Sequence, residues 1–172
     1  MTRRLTYLTF LLTVASVSGV VAQVTKYEVK VTTADKTDFA RFKTYSWFQG
    51  HRAYDPAVDK QIVTAIDRSL AAAGLTNVAK KGDVEVEYHS LQRTDVDLKT
   101  WKADPKGGGS GKPYPVGTLV VNLLDPSTGD QLWHARIDKP IDLDPSKMEA
   151  IVNDAVASLF EQYPTRTQGK RK

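Results

Sequence analysis

Residues 27–33, "YEVKVTT", alternate Tyr27, Val29 and Val31 with charged or polar neighbours, the period of a strand with one buried face. The aromatic-rich "TDFARFKTYSWF" follows and predicts a second short extended piece over 44–48. In "DPAVDKQIVTAIDRSLAAAG" the apolar positions Val58, Ile62, Ile66 and Leu70 recur every fourth residue. That spacing predicts a helix over 56–73, with Asp55 as N-cap, Pro56 at the first helical position and Gly74 just past the end.

Alternation returns in "VEVEYHSL", which places Val84, Val86 and Tyr88 on one face and Glu85, Glu87 and His89 on the other. Val96 and Leu98 alternate with Asp95, Asp97 and Lys99, predicting a further strand over 94–101. Residues 102–117 hold five of the eleven glycines and three of the eight prolines, the composition of a long mobile loop. "TLVVNLLD" is apolar on both faces apart from Thr118 and Asn122, as a strand covered on both sides would be. Asp125 and Pro126 suit the start of a type I turn, and Gly129 suits the left-handed residue that returns the chain into "QLWHARI". In that strand Trp133, Ala135 and Ile137 face the core and His134 and Arg136 face out. A last helix runs from Pro145, capped by Asp144, to about Tyr163, with Met148, Ile151, Val152, Ala155 and Leu159 as its apolar stripe.

The order is strand, short strand, helix, four strands, helix. It predicts an α+β fold: a single mixed, mainly antiparallel sheet of five to six strands with two helices packed on one face, because each helix has one apolar stripe to bury. Upstream, Arg3 and Arg4 precede the uncharged stretch 5–22, which ends in small residues. This is the pattern of a signal peptide over 1–22, cut between Ala22 and Gln23 with Val20 two places earlier. The stretch is short and interrupted by Thr and Ser, which disfavours a retained membrane anchor. Residues 23–164 then make one domain, followed by a basic tail over 165–172 too polar to fold. The expected location is the periplasm or the medium.

Charge and composition narrow the chemistry. The chain has 24 Lys+Arg, but Arg3, Arg4, Arg166, Lys170, Arg171 and Lys172 lie in the signal or the tail, leaving 18 against 20 Asp+Glu. A slightly acidic body without a basic face does not fit a nucleic-acid binder. With no cysteine, thiol catalysis, disulfides and cysteine-ligated metals are excluded, as is the lipid-attachment cysteine of a bacterial lipoprotein. "GGGSGK" is not a phosphate loop: Lys106 stands where its first glycine belongs, Pro113 replaces the Ser or Thr, and no helix begins at Lys112. The acid pairs Asp95/Asp97 and Asp142/Asp144, and the histidines His51, His89 and His134, have no nucleophile elbow beside them, so no catalytic residue and no cofactor is assigned. One candidate remains: Glu85, Glu87 and His89 line one strand face about 6–7 Å apart, and with His134 from a neighbouring strand they form a possible divalent-metal set.

"DFARFKTYSWF", "GDVEVEYHS", "GTLVVNLLDPSTGDQLWHARI" and the terminal "LFEQYP" resemble, in that order, the bacterial envelope domain of unknown function DUF4136, whose members are often described as lipoproteins. The resemblance implies an exported protein with a mixed sheet and two helices, and supplies no catalytic residues. The first expectation is therefore a non-enzymatic envelope protein that binds another envelope protein. Its motive is Val120 and Leu124, which point away from Leu119, Val121 and Leu123 and need a cover of their own. The alternative is a periplasmic protein binding a small ligand or metal on the Glu85, Glu87 and His89 face.

Overall fold

The computed structural model describes residues 28–50, 52–104 and 106–164. The expected signal with Ala22 and Gln23, the positions Tyr27 and His51, and the basic tail lie outside the described residues. The chain runs β1 (Val29–Thr33), a 3-10 turn (Phe39–Arg41), β2 (Thr44–Trp47), α1 (Pro56–Ala72), β3 (Thr76–Asn77), β4 (Val84–Ala103), β5 (Gly109–Leu124), β6 (Gln131–Pro140) and α2 (Pro145–Phe160). The six strands form one sheet in the order β1-β6-β5-β4-β2-β3. Its β1/β6/β5/β4 part is antiparallel, and β2 pairs in parallel with both β4 and β3. This is the α+β architecture that the alternation and the two helical stripes predict.

Both helices begin as their sequences require. The Asp55 carboxylate accepts from the amides of Ala57 and Val58, that of Asp144 accepts from Ser146, and a proline stands in each first turn. Gly74, at φ 89°, ends α1 in the left-handed conformation that a side chain disfavours. One core lies between the helices and the sheet. It takes Ile62, Ile66 and Leu70 from α1, Val152, Val156 and Leu159 from α2, and Val84, Val86, Tyr88, Leu119, Val121 and Leu123 from the central strands. Trp133 of β6 is fully buried, with ring centroids 5.3 Å from Phe160 and 5.4 Å from Tyr163.

The glycine- and proline-rich segment corrects the loop expected over 102–117. Its residues belong to the strands β4 and β5 except for a tight turn after Ala103, where the Gly107 amide donates to the Asp104 carbonyl and Gly107 and Gly108 take positive φ. The strands expected separately before and after Leu91 are likewise one, β4. The glycines have a packing reason. A Cβ on Gly109 would lie 2.4 Å from Cζ2 of Trp101, and one on Gly111 would lie 2.5 Å from Val96 Cγ1, so bare backbone on β5 lets the Trp101 ring lie against it. Between Asp97 and Lys102 the register shifts, and the extra β4 residues are held where the Lys112 amide donates to Thr100 Oγ1.

Candidate functional site

Strand register places the candidate metal residues. Glu87 of β4 stands opposite Asn122 of β5, which stands opposite His134 of β6, all on the sheet face turned away from the helices. Asn122 Nδ2 donates to Glu87 Oε1 (2.7 Å), and His134 Nδ1 donates to Asn122 Oδ1 (2.8 Å). His89 Nε2 reaches the same Glu87 oxygen at 3.2 Å, and Gln131 Nε2 donates to Asn122 Oδ1 at 3.1 Å. Glu85 sits opposite Leu124, outside this row. Among the described residues no three His, Cys, Asp or Glu side chains gather where they could hold a metal ion. Asn122, which periodicity alone marks only as a polar interruption, is the centre of the row. It is buried with both ends of its amide satisfied, so the row acts as a polar ladder clamping three strands in register. Burial, followed by the Arg136 and His89 charges, lowers the His134 pKa and favours its neutral imidazole.

A second polar group covers the same face nearer the far end of β6. Arg93 Nη1 donates to Thr118 Oγ1 (2.9 Å) and Asp138 Oδ1 (2.7 Å), and Arg136 Nε donates to Asp138 Oδ2 (3.0 Å). The Arg136 guanidinium, with Thr118 and Arg93, holds the Asp138 carboxyl well below the usual carboxylate range. These side chains alter the expectation built on Val120 and Leu124. Val120 stands between His89 and Arg136, Leu124 stands between Glu85 and Gln131, and both are half-buried by the protein itself. The motive for a partner on that face is lost.

The exposed apolar residues lie elsewhere. β6 ends at Pro140, opposite Val116, while β4 and β5 continue together from the pair Thr94/Pro115 to the pair Ala103/Gly109. This two-stranded arm extends beyond the sheet and carries Val96, Leu98 (77% exposed) and Trp101 (47% exposed), with Leu91 (60%) at its root. Its two edges differ. The Ile141 amide donates to the Pro115 carbonyl, so residues of that parity on β5 turn their backbone groups to the outer edge, where Pro113 and Pro115 have no N–H to offer. The β4 edge is taken by Phe48, which donates to the Val86 carbonyl, and Gly50 lies against the Tyr88 backbone. From Ser90 onward, no strand among the described residues pairs with the outer edge of β4.

The segments that carry the family resemblance prove to be interlocked. The amides of Lys43 and Thr44 donate to Asp83 Oδ2 at 2.8 and 2.9 Å, the Asp83 amide donates to Thr44 Oγ1, and the Gly82 amide donates to Ser46 Oγ. Tyr45 Oη and Trp47 Nε1 both donate to Asp67 Oδ1 on α1, at 2.5 and 3.0 Å. In the β5–β6 turn, Asp125 accepts from the Ser127 and Thr128 amides and Gly129 takes φ 74°. These motifs fasten strands, turn and helix to one another.

The sequence signature of the family described as a domain of unknown function, DUF4136, matches residues 29–165. No curated protein matches the chain. Among solved structures, a PDZ domain protein from Parabacteroides distasonis is similar at 16% identity and a TM-score of 0.56 over 84% of this chain, which spans only 36% of that protein. A PelC dodecamer from Paraburkholderia phytofirmans is similar at 14% identity and a TM-score of 0.54, over 81% of this chain and 98% of that one. At these identities the likeness is one of fold. No helix among the described residues is long and apolar enough to cross a membrane.

Proposed function

The chain belongs to the DUF4136 family, and from that membership and its projecting arm we propose that it is a non-enzymatic binding module of the bacterial envelope, docking on a protein through β4 of the arm. The observation that carries this reading is the arm's asymmetry: prolines block its β5 edge, while among the described residues nothing pairs with its β4 edge beside the exposed Leu98 and Trp101. An extended segment of a partner adding to β4 would gain main-chain hydrogen bonds, and Val96, Leu98 and Trp101 would supply apolar contacts and selectivity. The charged stretch followed by the uncharged 5–22 supports export, and the absence of cysteine supports a form without a lipid anchor. The similar PelC structure is a dodecamer, which makes further copies of this chain one class of partner to distinguish.

The test is site-specific photocross-linking in intact cells, with a photoreactive residue at Leu98, at Trp101 or, as a control, at the exposed Arg68 of α1. Adducts from both arm positions and none from Arg68 support docking through the arm. A self-adduct identifies assembly of copies, and an adduct of another mass identifies a foreign partner. No adduct from the arm, or equal adducts from all three positions, overturns the proposal.

A further inference from the structure

A cavity of about 290 Å³ lies between the sheet, the N-terminal part of α1 and the inner face of α2. It exists because the facing positions are small: Gly117 leaves the β5 floor without a side chain, while Ser90, Ala53 and Ala155 line the neighbouring walls. Apolar side chains make most of the rest, among them Ile62 of α1, Ile137 of β6, Ile141, and Met148, Ile151 and Val152 of α2. The volume is at the small end of the range for ligand sites, roughly 300–1,000 Å³. An apolar cavity of this kind gains little from water and accommodates a hydrocarbon well.

One cation stands in this wall. Lys139 follows Ile137 on the helix-facing side of β6, and its side chain is only 13% exposed. Its ammonium pairs with the Asp154 carboxylate of α2, which is 65% exposed. The ammonium is thus already placed to receive a carboxylate at the cavity wall. The carboxylate it holds belongs to a mainly solvated residue, which returns to water at little cost. The carboxylate among the residues that line the cavity, Asp55, is committed to capping α1. We propose that this cavity binds a medium-chain fatty carboxylate, its hydrocarbon between the helices and the sheet and its carboxylate on Lys139 in place of Asp154. The site is separate from the arm, so it stands or falls independently of docking through β4.

The purified, delipidated chain is titrated with an environment-sensitive fluorescent fatty acid, which is then displaced by unlabelled carboxylates of increasing length and by the matching alcohols. Saturable one-to-one binding is expected. Affinity should rise by about fourfold per added methylene until the cavity is full, and carboxylates should bind about tenfold or more tighter than alcohols. Lys139→Met should erase the preference for carboxylate over alcohol, Lys139→Arg should keep it, and Ala155→Met should fill the cavity and abolish binding of both. Thermal melting of each variant without ligand confirms that it is folded. Absence of saturable binding by the unsubstituted chain identifies the cavity as a packing gap and overturns the proposal, as does a carboxylate preference unchanged in Lys139→Met. A chain that binds phosphatidylglycerol vesicles but no monomeric fatty acid also overturns it.

Discussion

Two carboxylates on one side of α1 set the position of that helix. Asp67 accepts from Tyr45 and Trp47, and Asp59 accepts from the Tyr88 hydroxyl, whose pKa is pushed up to about 12 by burial and then by this hydrogen bond. Asp67→Ala would leave two partly buried donors without an acceptor, each costing about 1–3 kcal/mol. The expected loss is about 2–3 kcal/mol, seen as a lower urea midpoint with an unchanged slope. His134 gives the chain a pH dependence. Its pKa is lowered in the folded state, so as pH falls through about 6.5 the unfolded chain takes up a proton that the folded chain resists. Its contribution to stability is complete above that value and declines below it. A pH series of melting curves from 8 to 5 should fall more steeply for the unsubstituted chain than for His134→Asn, and parallel curves would refute the assignment. Some of this was legible in the sequence: the caps Asp55 and Asp144, and the inward Trp133, Ala135 and Ile137, follow from local pattern alone. The Glu87–Asn122–His134 row was not, because it depends on cross-strand register, which periodicity along one strand does not contain.

At the scale of elements, the arm is where composition misled. Five glycines and three prolines read as a loop because both residues disfavour strand interiors. Here Pro113 and Pro115 occupy an outer edge where no N–H is required, and Gly109 and Gly111 make room for the Trp101 ring. The signal that could have found this was the neighbouring "DVDLKTW", a strand-like run that needs a partner, with Trp101 at its end. β3 was missed for another reason, since two residues are too few to show a period. Gly111→Val tests the arm packing: its Cβ would meet Val96 Cγ1 and, at 2.9 Å, the Asp97 carbonyl oxygen, and backbone cannot yield as a side chain does. Hydrogen exchange should accelerate over 94–101 and 109–115. The global melting temperature should move by less than about 3 °C, because the damage is confined to a ribbon outside the core.

For the whole molecule, the decisive feature is how the sheet ends. Its edge strands are short: β1 has five residues, with Lys30 among them, and β3 has two. Short, charged edges resist unwanted strand addition. The outer edge of β4 beyond Ser90 is the long exception among the described residues, and the exposed apolar side chains of β4 lie along it. A segment retained only for folding would be expected to hold something together, yet from Thr94/Pro115 outward β4 and β5 pair with no third strand among the described residues. Removing it therefore separates fold from function. Asp95 and Tyr114 are directly opposed with their backbone groups turned toward each other, since Pro115 turns its carbonyl outward, so replacing residues 96–113 by Asn-Gly closes the hairpin with a two-residue turn. The shortened chain should melt within a few degrees of the parent, about 3 °C or less, because the buried cluster draws no residue from 96–113. It should also fail to pull down the partner that the arm captures, or, if that partner is another copy, run as a monomer in light scattering where the parent is larger. A shortened chain that folds and retains its partner would move the docking surface to the body of the domain.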